Sequence, residues 1–221
     1  MRYQPFLNTL CNYNVVIFIL MLIRCVTVGI LWMFLGTSCS LNESGSELCF
    51  IGDSITYLWD VEYYFPGYYI HKHAVSGAQI QDIDKWNTSD CRGIPVVLLM
   101  GTNNIGFISV SDSNAEYLRE RFKEKFWRHA DAIGGNPLWV VSILPRNYNG
   151  KQSIGVNQNI ELLNQMIKKD VDSKGNAYKF IDVFDLFLDE GYHTNMRLFK
   201  DGLHPNVEGY EVLSAKVQGK L

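Results

Sequence analysis

The sequence lacks several features that mark well-known classes of protein. It has no low-complexity tract or internal repeat, and its 20 basic and 23 acidic residues leave a formal net charge of only −3. The lysines and arginines are scattered rather than gathered in one stripe, which argues against nucleic acid as a partner. With 221 residues and 47% hydrophobic content, the chain can bury one good core, and we expect a single domain of enzyme size.

Cysteine is also scarce. Three of the five cysteines lie within the first 39 residues, so the rest of the chain contains only Cys49 and Cys91. Two cysteines do not form a disulfide framework, and the histidines, cysteines and carboxylates are not spaced like a zinc site, so we expect no metal. Cys49 lies in an apolar run and is expected to be a small buried hydrophobe. A Cys49–Cys91 bridge in an oxidising compartment is the alternative.

The N-terminal part contains long hydrophobic runs. Residues 15–23 and 25–35 are almost wholly apolar, with Arg24 between them. An arginine near the centre of a membrane span costs about 2.5–3.5 kcal/mol on insertion scales. The segment that starts at Met21 has instead a cationic start, an apolar stretch and small residues, which is the layout of a secretory signal.

Cys39 follows the small residues "GTS", in a sequence similar to the bacterial lipobox, whose cysteine is lipidated and becomes the first residue of the mature protein. We therefore predict that residues 1–39 are a signal peptide or membrane anchor, that 40–46 form a polar tether, and that 47–221 form the functional domain. An uncleaved anchor is the alternative to a lipoprotein. We expect an exported protein that is held at the membrane of the cell envelope or secreted.

After the tether, short apolar runs alternate with longer segments of helical period, which is the pattern of an α/β fold. The third run is apolar enough to be buried on both faces of a sheet. Five parallel strands are the simplest arrangement of the runs, which are 47–52, 68–75, 95–100, 137–143 and 178–183.

Three of the longer segments predict helices. Residues 112–133 place apolar side chains on one stripe and end at a Gly-Gly pair, which is typical of a helix C-terminus. A second helix is expected over 157–170 and a third over 206–218, where Asn206 can cap the first turn.

Reactive residues gather at the predicted carboxyl ends of the strands, where ligands bind in sheets of this kind. Each short motif alone could be an ordinary turn or helix cap, but together they follow one another in a consistent order along the chain. They are "GDSIT" at 52–56, "SGAQ" at 76–79, "GTNN" at 101–104 and "DGLHPN" at 201–206.

These motifs contain the parts of a serine hydrolase site. A serine hydroxyl such as that of Ser54 needs a base within hydrogen-bond reach, and the base needs an orienting partner. Asp201 and His204 are three residues apart, so a single turn can bring the carboxylate to the imidazole. The backbone N–H of Gly77 and the side-chain amide of Asn103 can stabilise the oxyanion that forms.

The four motifs resemble those of the SGNH (GDSL) hydrolases, in the same order, over roughly residues 47–220. The resemblance implies a flavodoxin-like three-layer α/β/α sandwich around a five-stranded parallel sheet. Members of that family hydrolyse esters and thioesters without a metal or organic cofactor. The roles that the resemblance implies are nucleophile for Ser54, base for His204, partner of the base for Asp201, and oxyanion hole for Gly77 and Asn103.

The resemblance favours a serine esterase that acts through an acyl-enzyme. Outward-facing bacterial members often remove acetyl groups from carbohydrates, so we expect a short-chain acyl ester of a glycan or small molecule as substrate. A lysophospholipase- or thioesterase-type lipid hydrolase is the closest alternative, and a non-catalytic binding module on the same fold is the alternative from another class. A flavodoxin-like nucleotide binder is disfavoured, because the first strand-helix turn has no glycine-rich phosphate loop.

Residues 144–156 are polar and long for a connection, which is typical of a substrate-facing loop. We expect substrate contacts from Arg146, Asn147 and Tyr148, and an exposed loop without such a role is the alternative.

Other polar and aromatic residues have ordinary structural interpretations. His71 and His73 share one face of the second strand, have no third metal ligand beside them in the sequence, and are expected at the strand surface. His129 is expected to be solvated among the charges of its helix. Residues 57–59 are expected in the core.

Overall fold

The structure is a computed structural model that describes residues 45–147 and 154–221. The predicted signal or anchor with Cys39, and the loop residue Tyr148, lie outside the described residues. Within the described part of the chain, no helix is both long enough and apolar enough to cross a membrane.

Five parallel strands form one sheet in the order β2-β1-β3-β4-β5. This confirms the predicted fold class, and the order is that of the flavodoxin-like doubly wound fold. Because all five strands run in the same direction, their carboxyl ends meet at one edge of the sheet. The strands are β1 Ser46–Gly52, β2 Tyr68–Ala74, β3 Val96–Leu99, β4 Leu138–Val141 and β5 Tyr178–Ile181.

The structure contains the three helices predicted from the sequence, with ends that differ from the predicted ones by at most four residues: Ala115–Ile133 (α4), Ile154–Lys174 (α5) and Val207–Gln218 (α6). The first of them ends at Gly134, whose φ of 72° lies in the left-handed region. The last begins after Asn206, whose side chain accepts a hydrogen bond from the Gly209 N–H. Helices in the described residues are α1 Ser54–Leu58, α2 Val61–Tyr64, α3 Thr102–Ile105, α4 Ala115–Ile133, α5 Ile154–Lys174 and α6 Val207–Gln218.

Alternating side chains of the strands divide the core into two clusters, one on each face of the sheet. Cys49 and Ile51 of β1 point to the face that α4 and α5 cover. Leu48 and Phe50 point to the opposite face, which α1 and α6 cover. The domain is therefore a three-layer α/β/α sandwich whose helices leave the carboxyl edge of the sheet to the loops.

Two sequence expectations about single side chains are wrong. Of the stretch expected in the core, Tyr57 and Leu58 are 57% and 51% exposed and only Trp59 is buried, because α1 buries its first three residues and ends in solvent before Trp59. The charges around His129 predict a solvated side chain, but the residue is buried, and its Nδ1 lies 2.7 Å from Oδ1 of Asp84. The sequence does not reveal that α4 packs against the 3₁₀ turn that contains Asp84.

The two cysteines of the domain form a disulfide. Cys49 lies in β1 and Cys91 in a short 3₁₀ turn ahead of β3, and both are fully buried. The bridged alternative for Cys49 is therefore confirmed. The bridge encloses the segment that contains β2 and Gly77.

Candidate active site

The first strand ends where the backbone passes close to a neighbouring side chain. A Cβ atom at Gly52 would lie 1.9 Å from Oγ1 of Thr56, so only glycine fits without a rearrangement. Asp53 then caps α1, because its Oδ1 accepts the N–H of Ile55 at 3.0 Å. Ser54 is consequently the first residue of a short helix at the carboxyl edge of the sheet.

Ser54, His204 and Asp201 lie in one chain of hydrogen bonds. Oγ of Ser54 is 2.9 Å from Nε2 of His204, and Nδ1 of His204 is 2.7 Å from Oδ2 of Asp201. In the tautomer that carries the proton on Nδ1, the imidazole donates to the carboxylate and Nε2 accepts the serine proton. The structure thus brings together the three residues that the sequence motifs single out, with the geometry that activates a serine hydroxyl.

The Asp201 side chain stabilises the turn that carries the acid and the base, because it accepts hydrogen bonds from the backbone of that turn. Oδ1 of Asp201 accepts the N–H of Leu203 at 3.0 Å and that of His204 at 2.8 Å. Burial raises the pKa of Asp201, but the hydrogen bonds from His204 and Leu203 outweigh that effect, so the pKa lies below its usual value. The carboxylate therefore stays ionised at neutral pH and can stabilise an imidazolium.

Two hydrogen bonds join α1, which begins at the serine, to α6, which follows the histidine. The hydroxyl of Tyr210 donates to the carbonyl oxygen of Ile55 at 2.8 Å, and Nε1 of Trp59 donates to Oγ of Ser214 at 2.8 Å. All four residues are buried. These contacts fix the two elements that position the reacting side chains.

Gly77 and Asn103 are the residues predicted for the oxyanion hole. Gly77 lies in the loop after β2, and this loop contacts α3, which contains Asn103. Gly77 has a φ of +77°, a left-handed conformation that glycine adopts without strain. Nδ2 of Asn103 donates to the carbonyl oxygen of Ala78 at 2.9 Å, and Nε2 of Gln79 donates to the carbonyl oxygen of Asn103 at 3.2 Å. An amide nitrogen carries two N–H groups, so Asn103 can donate the second one to an oxyanion.

Asp53, which immediately precedes the serine, is a fully buried acid. Its Oδ1 accepts the Ile55 N–H, whereas Oδ2 is buried without a hydrogen-bond partner among the described residues. Burial raises the pKa of Asp53 from 3.8 to about 6, although the Ile55 N–H and the positive charges of His204 and Arg146 act in the opposite direction. The sequence carries no signal that distinguishes this buried aspartate from an exposed cap.

The raised pKa predicts a pH-dependent effect of Asp53→Asn on stability. The protonated acid stabilises the fold below pH 3.8, and this contribution is lost as the pH rises through about 6. Since one pKa unit corresponds to about 1.4 kcal/mol, Asp53→Asn should raise the free energy of unfolding by roughly 2 kcal/mol more near pH 8 than near pH 4.5. Urea unfolding of both proteins at the two pH values measures the difference.

Asp60→Asn is the matched control, because Asp60 also caps a helix but its side chain is exposed. It should give no comparable difference between the two pH values. An equal effect of Asp53→Asn at both pH values would contradict the prediction.

Two of the three residues predicted as substrate contacts are inside the fold. Arg146 and Asn147 are 5% and 8% exposed. Nη1 of Arg146 donates to the carbonyl oxygens of Thr102 at 2.8 Å and Gly106 at 2.7 Å, and its guanidinium lies 4.6 Å from the ring centre of Phe107. The structure thus buries Arg146 where the sequence predicts an exposed, substrate-facing loop.

A group of potential metal ligands lies elsewhere, next to β2. Ligand atoms of Cys49, His73 and Cys91 are within 4.8 Å of one another, but the two sulfur atoms are joined in the disulfide and so offer no thiolates. The two strand histidines, His71 and His73, contact Asp90, which the sequence gives no reason to expect beside them. The Asp90 carboxylate lies 2.9 Å from Nε2 of His73 and 3.1 Å from Nδ1 of His71. Nε2 of His71 also lies 2.8 Å from Oε2 of Glu47, so carboxylates of Asp90 and Glu47 contact the two rings.

Comparison with known proteins places this site in a family. Residues 50–212 match the GDSL-like Lipase/Acylhydrolase family, a span that contains the serine, the acid, the base and both predicted oxyanion-hole residues. A search of the curated proteins finds no match.

Solved structures share the fold. A GDSL-like lipase from Bacteroides thetaiotaomicron has a TM-score of 0.61 at 20% identity, over 80% of this chain and 87% of that one. An acetyl xylan esterase from Geobacillus stearothermophilus has a TM-score of 0.55 at 15% identity, over 80% of this chain and 94% of that one. At these identities the likeness concerns the fold. Because the family match covers well over half of the sequence, the chain belongs to the GDSL-like lipase/acylhydrolase family and is an enzyme that hydrolyses ester bonds.

Proposed function

We propose that the protein is a serine esterase that works through an acyl-enzyme, and the hydrogen-bonded chain Asp201–His204–Ser54 is the observation that carries this proposal. Oγ of Ser54 attacks the ester carbonyl carbon while Nε2 of His204 takes the hydroxyl proton. The bond to the alcohol oxygen then breaks, and His204 returns the proton to the departing alcohol. A water molecule, deprotonated by His204, attacks the acyl-serine ester, and the acid is released as Ser54 regains its proton.

The oxyanion of each tetrahedral intermediate needs hydrogen-bond donors that are already in place. In the proposed mechanism these are the backbone N–H groups of Ser54 and Gly77 and the side-chain amide of Asn103. The hydrogen bond from Asn103 to Ala78 supports this assignment, because it joins α3, which contains Asn103, to the loop that contains Gly77. Loss of one donor of this kind typically lowers kcat by about 10²–10³-fold.

The proposed substrate is a short-chain acyl ester, of the acetyl type, on a carbohydrate. The acetyl xylan esterase that shares the fold supports this choice by analogy. The lipase that shares the fold supports the alternative, a longer acyl chain on a lipid. Acyl length therefore separates the two candidates.

The test compares 4-nitrophenyl acetate, butyrate and octanoate as substrates of the full chain in detergent, followed by an acetylated xylo-oligosaccharide and a lysophospholipid. We expect kcat/KM to fall by about tenfold or more from acetate to octanoate, and acetate to be released from the oligosaccharide. Preference for octanoate and the lysophospholipid would support the lipid hydrolase instead. A folded protein without turnover and without labelling by a fluorophosphonate would support the non-catalytic binding module.

We also propose that the enzyme is exported and held at the cell envelope through its N-terminal segment, as a lipoprotein acylated at Cys39 or through an uncleaved anchor. The apolar residues 15–35 and the small residues before Cys39 support this location. The Cys49–Cys91 disulfide supports it as well, because structural disulfides persist in oxidising compartments. The oxidation state of Cys49 and Cys91 in cells is therefore a measurement that bears directly on the proposal.

A further inference from the structure

Arg146 is a buried cation near the reacting residues. It follows β4, and its backbone N–H donates to Oδ1 of Asn157 at 3.0 Å. Nδ2 of Asn157 in turn donates to Oγ1 of Thr194 at 3.2 Å, so the backbone of Arg146 is fixed from α5. Removing a guanidinium from water is costly unless its new contacts compensate, so those contacts indicate what the residue does.

The side-chain contacts of Arg146 bracket Asn103. Nη1 donates to the carbonyl oxygen of Thr102, the residue before Asn103, and to that of Gly106, the residue that ends α3. The helix α3 is a single turn of four residues, and its N-cap, Gly101, provides no side-chain hydrogen bond. Because one turn is not stable by itself, the two bonds from Arg146 keep this turn in its conformation.

Other hydrogen bonds tie the same turn to the loop that carries Gly77. Asn103 donates to the carbonyl oxygen of Ala78, and Oδ1 of Asn104 accepts the N–H of Ile80 at 2.9 Å. Arg146 thus acts on α3, and α3 is in direct contact with the second loop of the proposed oxyanion hole.

Arg146 and Asp53 also affect each other through their charges. Burial lowers the pKa of Arg146 and the charge of Asp53 raises it, while Arg146 lowers the pKa of Asp53. Asp53 immediately precedes Ser54 and caps α1.

We propose that Arg146 is a positioning residue for the oxyanion hole: it holds Asn103 in place through the carbonyl groups on either side of it, and does not bind the substrate. This role rests on the proposed function, because Asn103 needs a fixed position only if an oxyanion forms on the group attacked by Ser54. A misplacement of about 1 Å at a reacting centre can cost about 10²-fold in rate.

A double-mutant cycle with Arg146→Met and Asn103→Ala tests the proposal, with kcat and KM for 4-nitrophenyl acetate as the readout. Arg146→Met alone should lower kcat by about 10–100-fold and leave KM within about threefold. In the Asn103→Ala background the same change should lower kcat by less than about threefold, because the residue through which Arg146 acts has been removed. Lys174→Met is the matched control, since Lys174 stacks on Trp127 at 4.6 Å, the distance of Arg146 from Phe107.

Each other outcome overturns the proposal in a recognisable way. A rise in KM at constant kcat would make Arg146 a substrate contact. An equal loss of kcat in both backgrounds would show that Arg146 acts independently of Asn103. Failure of the proposed function would differ from both, because the wild type would then show no turnover that depends on Ser54.

Arg146→Lys keeps the cycle informative if Arg146→Met does not fold. An ammonium group also donates to carbonyl oxygens but lacks the planar fork of a guanidinium, so we expect it to recover part of kcat. Arg146→Lys is therefore compared in two backgrounds, with Asn103 present and with Asn103→Ala. If the variant folds like the wild type and lowers kcat by the same factor in both backgrounds, the positioning role is contradicted.

Discussion

Replacing Ser54 with alanine is expected to lower kcat for 4-nitrophenyl acetate by about 10⁵–10⁶-fold while the protein stays folded. The alanine removes only Oγ, whose hydrogen bond among the described residues is the one to Nε2 of His204. The N-cap of α1 and its hydrogen bonds to α6 remain, because they involve Asp53, Trp59 and the carbonyl group of Ile55. Loss of fluorophosphonate labelling together with loss of turnover, at an unchanged thermal midpoint, is the expected result.

Ser89→Ala provides the control, because Ser89 is exposed and its hydroxyl donates to Oδ1 of Asn87. Its turnover should equal that of the wild type. If Ser54→Ala retained activity within about tenfold of the wild type, another group would have to be the nucleophile, and the assignment of Ser54 would be wrong.

The losses of kcat caused by replacing Ser54 and His204 are expected to be strongly non-additive. Because Ser54 and His204 act as one unit through the 2.9 Å hydrogen bond, the double variant Ser54→Ala/His204→Ala should be about as slow as Ser54→Ala alone. Two independent losses would multiply instead. The residual activity that remains in the single and double variants then measures what the oxyanion hole contributes without the nucleophile.

Much of the fold and of the site can be predicted from the sequence, because both depend on local patterns. The apolar run that ends at Gly52 predicts a strand, and the Gly-Gly pair after Ile133 predicts the end of α4. Asn206 caps α6 as its position suggests. Ser54 and His204 are found by motif, because each lies directly after or before an element whose type the sequence reveals.

The remaining features depend on partners that are distant in sequence. The burial of Arg146 depends on hydrogen bonds to the carbonyl oxygens of Thr102 and Gly106, which are 44 and 40 residues earlier in the chain. The polar sequence around Arg146 does not reveal those contacts. Likewise the pairing of His129 with Asp84 requires that α4 lie against a turn 45 residues earlier. A pattern of hydrophobicity shows which side of a helix or strand is buried, but it does not show which other element packs against that side.

The disulfide also joins distant residues, and its removal should lower the free energy of unfolding by about 4 kcal/mol. Cys49 and Cys91 are 42 residues apart, and the bridge restricts the unfolded chain over that length. The double variant Cys49→Ala/Cys91→Ala should therefore unfold at much lower urea concentration than the wild type. The wild type measured in a dithiol reductant should approach the variant, which separates the effect of the bridge from that of the lost side chains.

The catalytic rate of the folded double variant should nevertheless stay within about threefold of the wild type. The loop of Gly77 is held by the pairing of β2 with β1 and by the bond from Asn103 to Ala78, and neither depends on the bridge. In protein that is precipitated from cells with acid and then denatured, export predicts that Cys49 and Cys91 resist alkylation until a reductant is added. Free thiols in the cellular protein would contradict the proposed location, and a loss of stability below about 1 kcal/mol on removing both cysteines would contradict a stabilising bridge.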